Sequence, residues 1–496
     1  MTHPRARRRS SAPSSVDDAW IGSASAFNLA EAIADGRTTS RRVVQFHVDT
    51  LRARSEFGAI ARDRFDAALA EADAIDAAST KADPARPLLG VPCTIKESIP
   101  VTGMPHTAGL SSRAGIIADT DAIAVQRLRR AGAIVVGVTN TAELCLGIES
   151  TNSVYGRTSN PYDVRRVSGG SSGGEGSAIG GGGIPFGVGG DTGGSIRIPS
   201  FYCGVFGHKP SPGLVPANES IPSLSGEEEV DLLETLGPMS RRASDLMPLL
   251  RILADDPDGT RCGSVDSVDL DGLRVVIPTK SSYLRPMDRS VRDARDAAGQ
   301  ALADRGADVV WQPMPAMRRV IASYLMELRR HAGTSVMNLF DSFGETPTRH
   351  LTPAVLRANS LQLQLAMIGD RLPELLPPPA RKLLDKFARD LADEVAEAIG
   401  DGVMLHPPLP QPAPFHHGTL ARPWLFGGAA IFNMLGMAVT EVPLGFSPRN
   451  LPVGVQVASQ PGNDNVTIAV ALELEKAFGG WVPPNAVSSR SVEQAT

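Results

Sequence analysis

With 496 residues and a formal net charge of −5, the chain is long enough to bury a large core and too nearly neutral for nucleic acid to be its main partner. Its 42% hydrophobic and 21% charged residues have the balance of a globular protein, and no run of about eighteen apolar residues offers a transmembrane anchor. Cys93, Cys145, Cys203 and Cys262 form no C-x-x-C pair, which points to a reducing compartment, the cytoplasm, without a disulfide framework.

In chain order, MTHPRARRRSSAPSS lacks the apolar stretch of a signal peptide and reads as a disordered tail over residues 1–17. Residues 24–78 read as helices, in FNLAEAIADG, RRVVQFHVDTLRARS and FDAALAEADAIDAA. GVPCTIKE, DAIAVQRLRRAG and AIVVGVTN then alternate strand, helix and strand, the rhythm of a sheet with helices on its faces. After a glycine-rich segment, GPMSRRASDLMPLLRILA predicts a helix opening near Ser240. LRVVIPT and DVVWQPMP predict strands around a helix over 289–305. Residues 320–400 predict amphipathic helices broken at Pro377-Pro378-Pro379. AAIFNMLGMAVTEVPLGF and LPVGVQVASQ restore helix and strand, and no internal repeat is present.

The glycine-rich segment carries the chemistry. From Gly169 to Ser195, fourteen of twenty-seven residues are glycine, with Ser171 and Ser195 embedded among them. Glycine lets the backbone approach a ligand closely, so such a loop suggests a site built from N–H groups. A phosphate loop is excluded, because no lysine follows these glycines until Lys209. A dinucleotide fingerprint begins at Gly187-Val188-Gly189 but has Thr192 in place of its third glycine. An oxyanion hole beside a nucleophilic serine fits better, since Asp191-Thr192-Gly193-Gly194-Ser195 supplies consecutive small residues. Gly169-Gly170-Ser171-Ser172-Gly173 also satisfies the G-x-S-x-G elbow of α/β-hydrolases, with His406 or His417 as partner. YDVRRVS before it is too polar for the buried strand that an elbow requires.

GGSSGG, DTGGSIRIPS and GHKP, with GVPCTIKES upstream, resemble the amidase signature family of serine hydrolases. The likeness is greatest to fatty-acid amide hydrolases of the second vertebrate type. It extends through ELCLGIESTNSVYGRTSNPYD, GGSSGGEG, GHKPSPG, ARPWLF and LEKAFGGWV, from about Ala26 to Pro483. The resemblance implies a Ser-Ser-Lys triad with Ser195 as nucleophile, Ser171 as bridge and Lys96 as base. It also implies an oxyanion hole from the N–H groups of Thr192, Gly193, Gly194 and Ser195, and a cis bond at Gly170–Ser171. A serine hydroxyl needs a base to become a nucleophile, and a lysine serves as one only when neutral, which burial favours. Asp191 and Arg197 then read as scaffolding charges, and Glu97 as a helper of local structure.

Each residue also has a plainer role open to it: Ser195 as a helix cap, Ser171 as a turn residue, Lys96 as a surface lysine. His106, His208, His406, His416 and His417 have no metal-ligand spacing and read as packing or surface residues. The expected architecture is α/β: one amidase signature domain over 18–496, a mixed central sheet surrounded by helices. Its signature core spans 90–215, and a variable helical region at about 320–400 walls the acyl pocket. Leu361, Leu363, Leu365, Met367 and Ile368 are apolar candidates for that wall. The expected activity is hydrolysis of an amide with a hydrophobic acyl group, without metal or cofactor. The expected partners are a small amide substrate and at most a second copy of the chain in a homodimer. The alternatives are the glutaminase subunit of a tRNA-dependent amidotransferase and an inactive scaffold on the same fold.

Overall fold

The computed structural model describes residues 16–78, 83–217, 219–221, 233–279, 286–332, 376–420 and 422–487. Eleven strands form one mixed sheet. From edge to edge they are Ile60–Asp63, Ile134–Thr139, Pro92–Lys96, Phe186–Asp191, Thr235–Ser240, Phe206–Lys209, Ala438–Phe446, Pro452–Ser459, Val403–His406, Arg274–Pro278 and Asp308–Gln312. Pro92–Lys96 runs parallel to both its neighbours, whereas Thr235–Ser240 is antiparallel to both of its own. The longest pairing joins Ala438–Phe446 to Pro452–Ser459. Helices cover the sheet, so its central strands are buried along their whole length and read as near-continuous apolar or small residues.

The N-terminal helices start where short polar side chains satisfy open N–H groups. Ser25 Oγ accepts from Asn28 N at 3.1 Å and Thr39 Oγ1 from Arg42 N at 3.1 Å, opening Ala26–Ala34 and Ser40–Ala53. Two strands depart from the sequence expectation. Within the span read as helical, Ile60–Asp63 forms the edge strand against Ile134–Thr139, its polar end facing solvent. Thr235–Ser240 is a central strand, and the helix expected near Ser240 begins only at Leu246. Gly237 and Pro238 hid that strand, yet its six residues pair with Phe186–Asp191 throughout.

The strand Phe186–Asp191 carries three glycines for a packing reason. The helix Gly173–Gly180 lies directly against it, and a Cβ at Gly187 would sit 2.0 Å from Glu175 Oε2. Any larger residue would push the helix that follows Ser171 and Ser172 off the sheet.

In the variable region the described parts are two helices, Val320–Ala332 and Pro378–Ile399. The second starts at the triple proline, where a missing N–H costs nothing in the first turn. The tail is outside the described residues up to residue 15, and so are Leu361, Leu363, Leu365, Met367 and Ile368. Among the described residues, no helix is long and apolar enough to cross a membrane.

Candidate active site

Lys96 ends a fully buried strand, and its own side chain is buried. Its Nζ lies 2.6 Å from Ser171 Oγ, both groups buried. A charged Nζ donates to that hydroxyl, and a neutral one accepts its proton. Ser171 is itself held tightly. Its carbonyl accepts from Ser150 Oγ at 2.9 Å and Ala142 N at 3.2 Å, and the Gly170–Ser171 peptide is cis. No strand leads directly into Ser171: residues 158–170 carry only isolated bridges at Ser159, Arg166 and Val167, so the strand–turn–helix setting of a nucleophile elbow is missing.

Ser195 lies where the strand Phe186–Asp191 turns into the helix Arg197–Cys203, and it is partly open to solvent. Its carbonyl accepts from Ser172 N at 3.2 Å, which ties the two serine loops together. No hydrogen bond among the described residues joins Ser171 Oγ to the Ser195 hydroxyl.

Asp191 organises the loop between them. Its carboxylate accepts from Gly194 N at 2.8 Å, Ile196 N at 3.0 Å, Asn433 Nδ2 at 2.9 Å, and Arg197 Nε and Nη2 at 3.0 and 2.9 Å. Burial alone would raise this carboxyl, but the charge and hydrogen bonds of Arg197 outweigh it and hold the group well below the usual carboxylate range. Arg197 in turn donates from Nη1 to Ala429 O at 2.9 Å and Gln456 Oε1 at 2.8 Å. Of the four N–H groups expected in an oxyanion hole, that of Gly194 donates to Asp191. The N–H groups of Thr192, Gly193 and Ser195 have no partner among the described residues.

Two buried carboxyls flank Lys96. Glu97 accepts from Thr107 N and Oγ1, both at 2.7 Å, from Ala108 N at 2.8 Å and from Tyr155 Oη at 2.7 Å. It therefore clamps a loop, and burial still pushes it up to about 7. Glu175 accepts from Thr94 Oγ1 at 2.6 Å and Thr139 Oγ1 at 2.9 Å. Burial raises it to about 7, against the two hydroxyls and the charge of Lys96.

The folded protein thus holds a proton on Glu175 more tightly than the unfolded chain. That stability is fully present below the ordinary value of 4.5 and is lost as the pH rises through about 7. Glu175→Gln should therefore make the fall in Tm between about pH 5 and pH 7.5 shallower than in the wild type. Parallel melting curves across that range would contradict this reading.

The five histidines considered from the sequence sit in structural settings. His106 Nε2 meets Ser98 O at 3.0 Å, and His416 Nε2 meets Val164 O at 3.0 Å. His208 lies between Thr440 Oγ1 at 2.9 Å and Asp464 Oδ1 at 3.0 Å. His406 is buried against Phe432, and the backbone N–H of His417 donates to Glu149 Oε2 at 2.9 Å. Asn433, Gln456 and Glu175 were not foreseen. The first two meet Arg197 from more than 230 positions away, a pairing that no local pattern announces.

Residues 42–468 match the family model described as Amidase. The chain belongs to the amidase family. Over 483 residues this amidase is 40% identical to fatty-acid amide hydrolase 2-B of Danio rerio, covering 93% of this chain and 91% of that protein. It is 32% identical over 478 residues to a glutamyl-tRNA(Gln) amidotransferase subunit from Deinococcus radiodurans, covering 91% and 96%. A solved structure described as an amidase superposes with a TM-score of 0.76 at 28% identity, covering 92% of this chain and 100% of that one. The protein is an amide-hydrolysing enzyme with the amidase signature fold.

Proposed function

We propose that this amidase cleaves carboxylic amides with a hydrophobic acyl group through a covalent acyl-Ser195 intermediate. The observation that carries the reading is the buried 2.6 Å contact between Lys96 Nζ and Ser171 Oγ, on a loop bonded to Ser195. In this mechanism neutral Lys96 takes the Ser171 proton as Ser171 takes that of Ser195. Ser195 Oγ then attacks the carbonyl carbon. The negative charge on the tetrahedral oxygen faces the N–H groups of Thr192, Gly193 and Ser195. When the C–N bond breaks, the proton returns through Ser171 to the leaving amine. Water attacks the ester by the same route, releasing the acid and restoring Ser195.

The hydrophobic acyl preference rests on the 40% identity to a fatty-acid amide hydrolase. The 32% identity to an amidotransferase subunit favours a glutaminase reading less strongly, and co-purification with partner subunits would support it. The direct test is amine release from a series of amides of increasing acyl length. This reading expects kcat/KM to climb with chain length. A maximum at short or aryl acyl groups would overturn the acyl preference and leave a general amidase.

A further inference from the structure

Resting on that mechanism, we infer that Tyr324 is a positioning residue for the oxyanion hole, acting from the variable helix Val320–Ala332 through the carbonyl of Thr192. Tyr324 Oη donates to Thr192 O at 2.9 Å, and the residue is 4% exposed. A peptide unit is planar and trans, so its C=O and N–H point in opposite directions. Fixing the Thr192 carbonyl toward Tyr324 therefore fixes the next N–H, that of Gly193, away from it. Gly193 N–H is one of the three amides that have no partner among the described residues. Asp191 performs the matching task at the far end of the loop, where it turns the N–H groups of Gly194 and Ile196 inward. Between these two anchors lie the N–H groups of Gly193 and Ser195.

The tyrosine is itself held in place. Its ring meets Phe426 edge to face, with centroids 5.7 Å apart. Phe426 closes the turn Pro423–Phe426, the ARPWLF block whose purpose the sequence left open. On the other side the ring presses on the loop so closely that a Cβ at Gly193 would sit 2.7 Å from Tyr324 Oη. A side chain at 193 would have to displace that hydroxyl. The contact also means that a helix of the region expected to contact the acyl chain touches the loop before Ser195 through the Tyr324 hydroxyl. Preorganised donors contribute only while they are aimed at the developing charge, so loosening one should act on the transition state and not on ground-state binding.

Tyr324→Phe removes the hydroxyl and keeps the ring against Phe426. With the p-nitroanilide of decanoic acid, kcat should fall about tenfold. That is less than the roughly 10²–10³ lost when a donor is deleted outright. KM should stay within about twofold, and Tm should change by no more than about 2 °C. Affinity for an alkyl trifluoromethyl ketone, which adds reversibly to a serine to give a tetrahedral oxyanion, should drop by the same factor as kcat.

Wild-type turnover that Tyr324→Phe leaves unchanged would overturn this role alone. So would a variant that alters KM while sparing the ketone. A wild type that neither turns over the anilide nor binds the ketone would overturn the acyl-serine mechanism, and this role with it.

Discussion

Ser195→Ala should lower amide turnover by about 10⁶-fold, to near the level that binding and the oxyanion donors sustain without a nucleophile. The residue is partly open to solvent, and no hydrogen bond among the described residues uses its hydroxyl, so the melting temperature should stay close to that of the wild type. Its backbone contact with Ser172 N survives the change. Substrate affinity should persist as well, because the substitution removes one hydroxyl and none of the N–H groups. A variant that keeps more than a hundredth of wild-type turnover would mean that the attacking group lies elsewhere. Ser171 would then be the first candidate, since its hydroxyl already meets a lysine.

The second large effect is on stability. Asp191→Ala should destabilise the protein by about 3–5 kcal/mol, the usual cost of leaving one member of a buried ion pair uncompensated. Asp191 and Arg197 are both fully buried, their side chains joined at 2.9 Å. Without the carboxylate, Arg197 would keep only uncharged acceptors, Ala429 O, Gln456 Oε1 and Asn433 Oδ1. Gly194 and Ile196 would lose the group that turns their N–H bonds inward.

Asp191→Asn serves as the companion variant. It keeps the shape and one acceptor, so more of the fold should survive while kcat falls with little change in KM. Urea denaturation measures the first effect and steady-state kinetics the second. A loss below about 1 kcal/mol for Asp191→Ala would mean that the pair is not the anchor described here.

How much of this was legible follows from where the signals lie. Lys96 follows four strand residues of apolar or small character, so its burial could be read from the strand that carries it. The alternation of strand and helix from Gly90 to Asn140 revealed the parallel part of the sheet for the same reason. The strand Thr235–Ser240 was not legible, because Gly237 and Pro238 are punctuation in a local reading and become tolerable only between two paired neighbours. The edge strand Ile60–Asp63 was missed because four residues with two charges at the end carry no period.

In the candidate site, consecutive small residues raised the expectation of an oxyanion loop. They could not say that Asp191 takes the Gly194 N–H for itself, since that depends on how the chain turns over three residues. Tyr324 meets Thr192 across 132 positions, from a stretch that reads as ordinary amphipathic helix. Contacts of that kind are set by tertiary packing, and a single sequence leaves no local trace of them.

The central claim is that Ser195 carries the acyl group, with Ser171 and Lys96 handling its proton. Reacting the wild type, Ser195→Ala and Lys96→Ala with a fluorophosphonate, then mapping the adduct by peptide mass spectrometry, tests this most directly. The expected result is one adduct on Ser195 in the wild type, none in Ser195→Ala, and much slower labelling of the same serine in Lys96→Ala. An adduct on Ser171, or labelling that persists in Ser195→Ala, would contradict it.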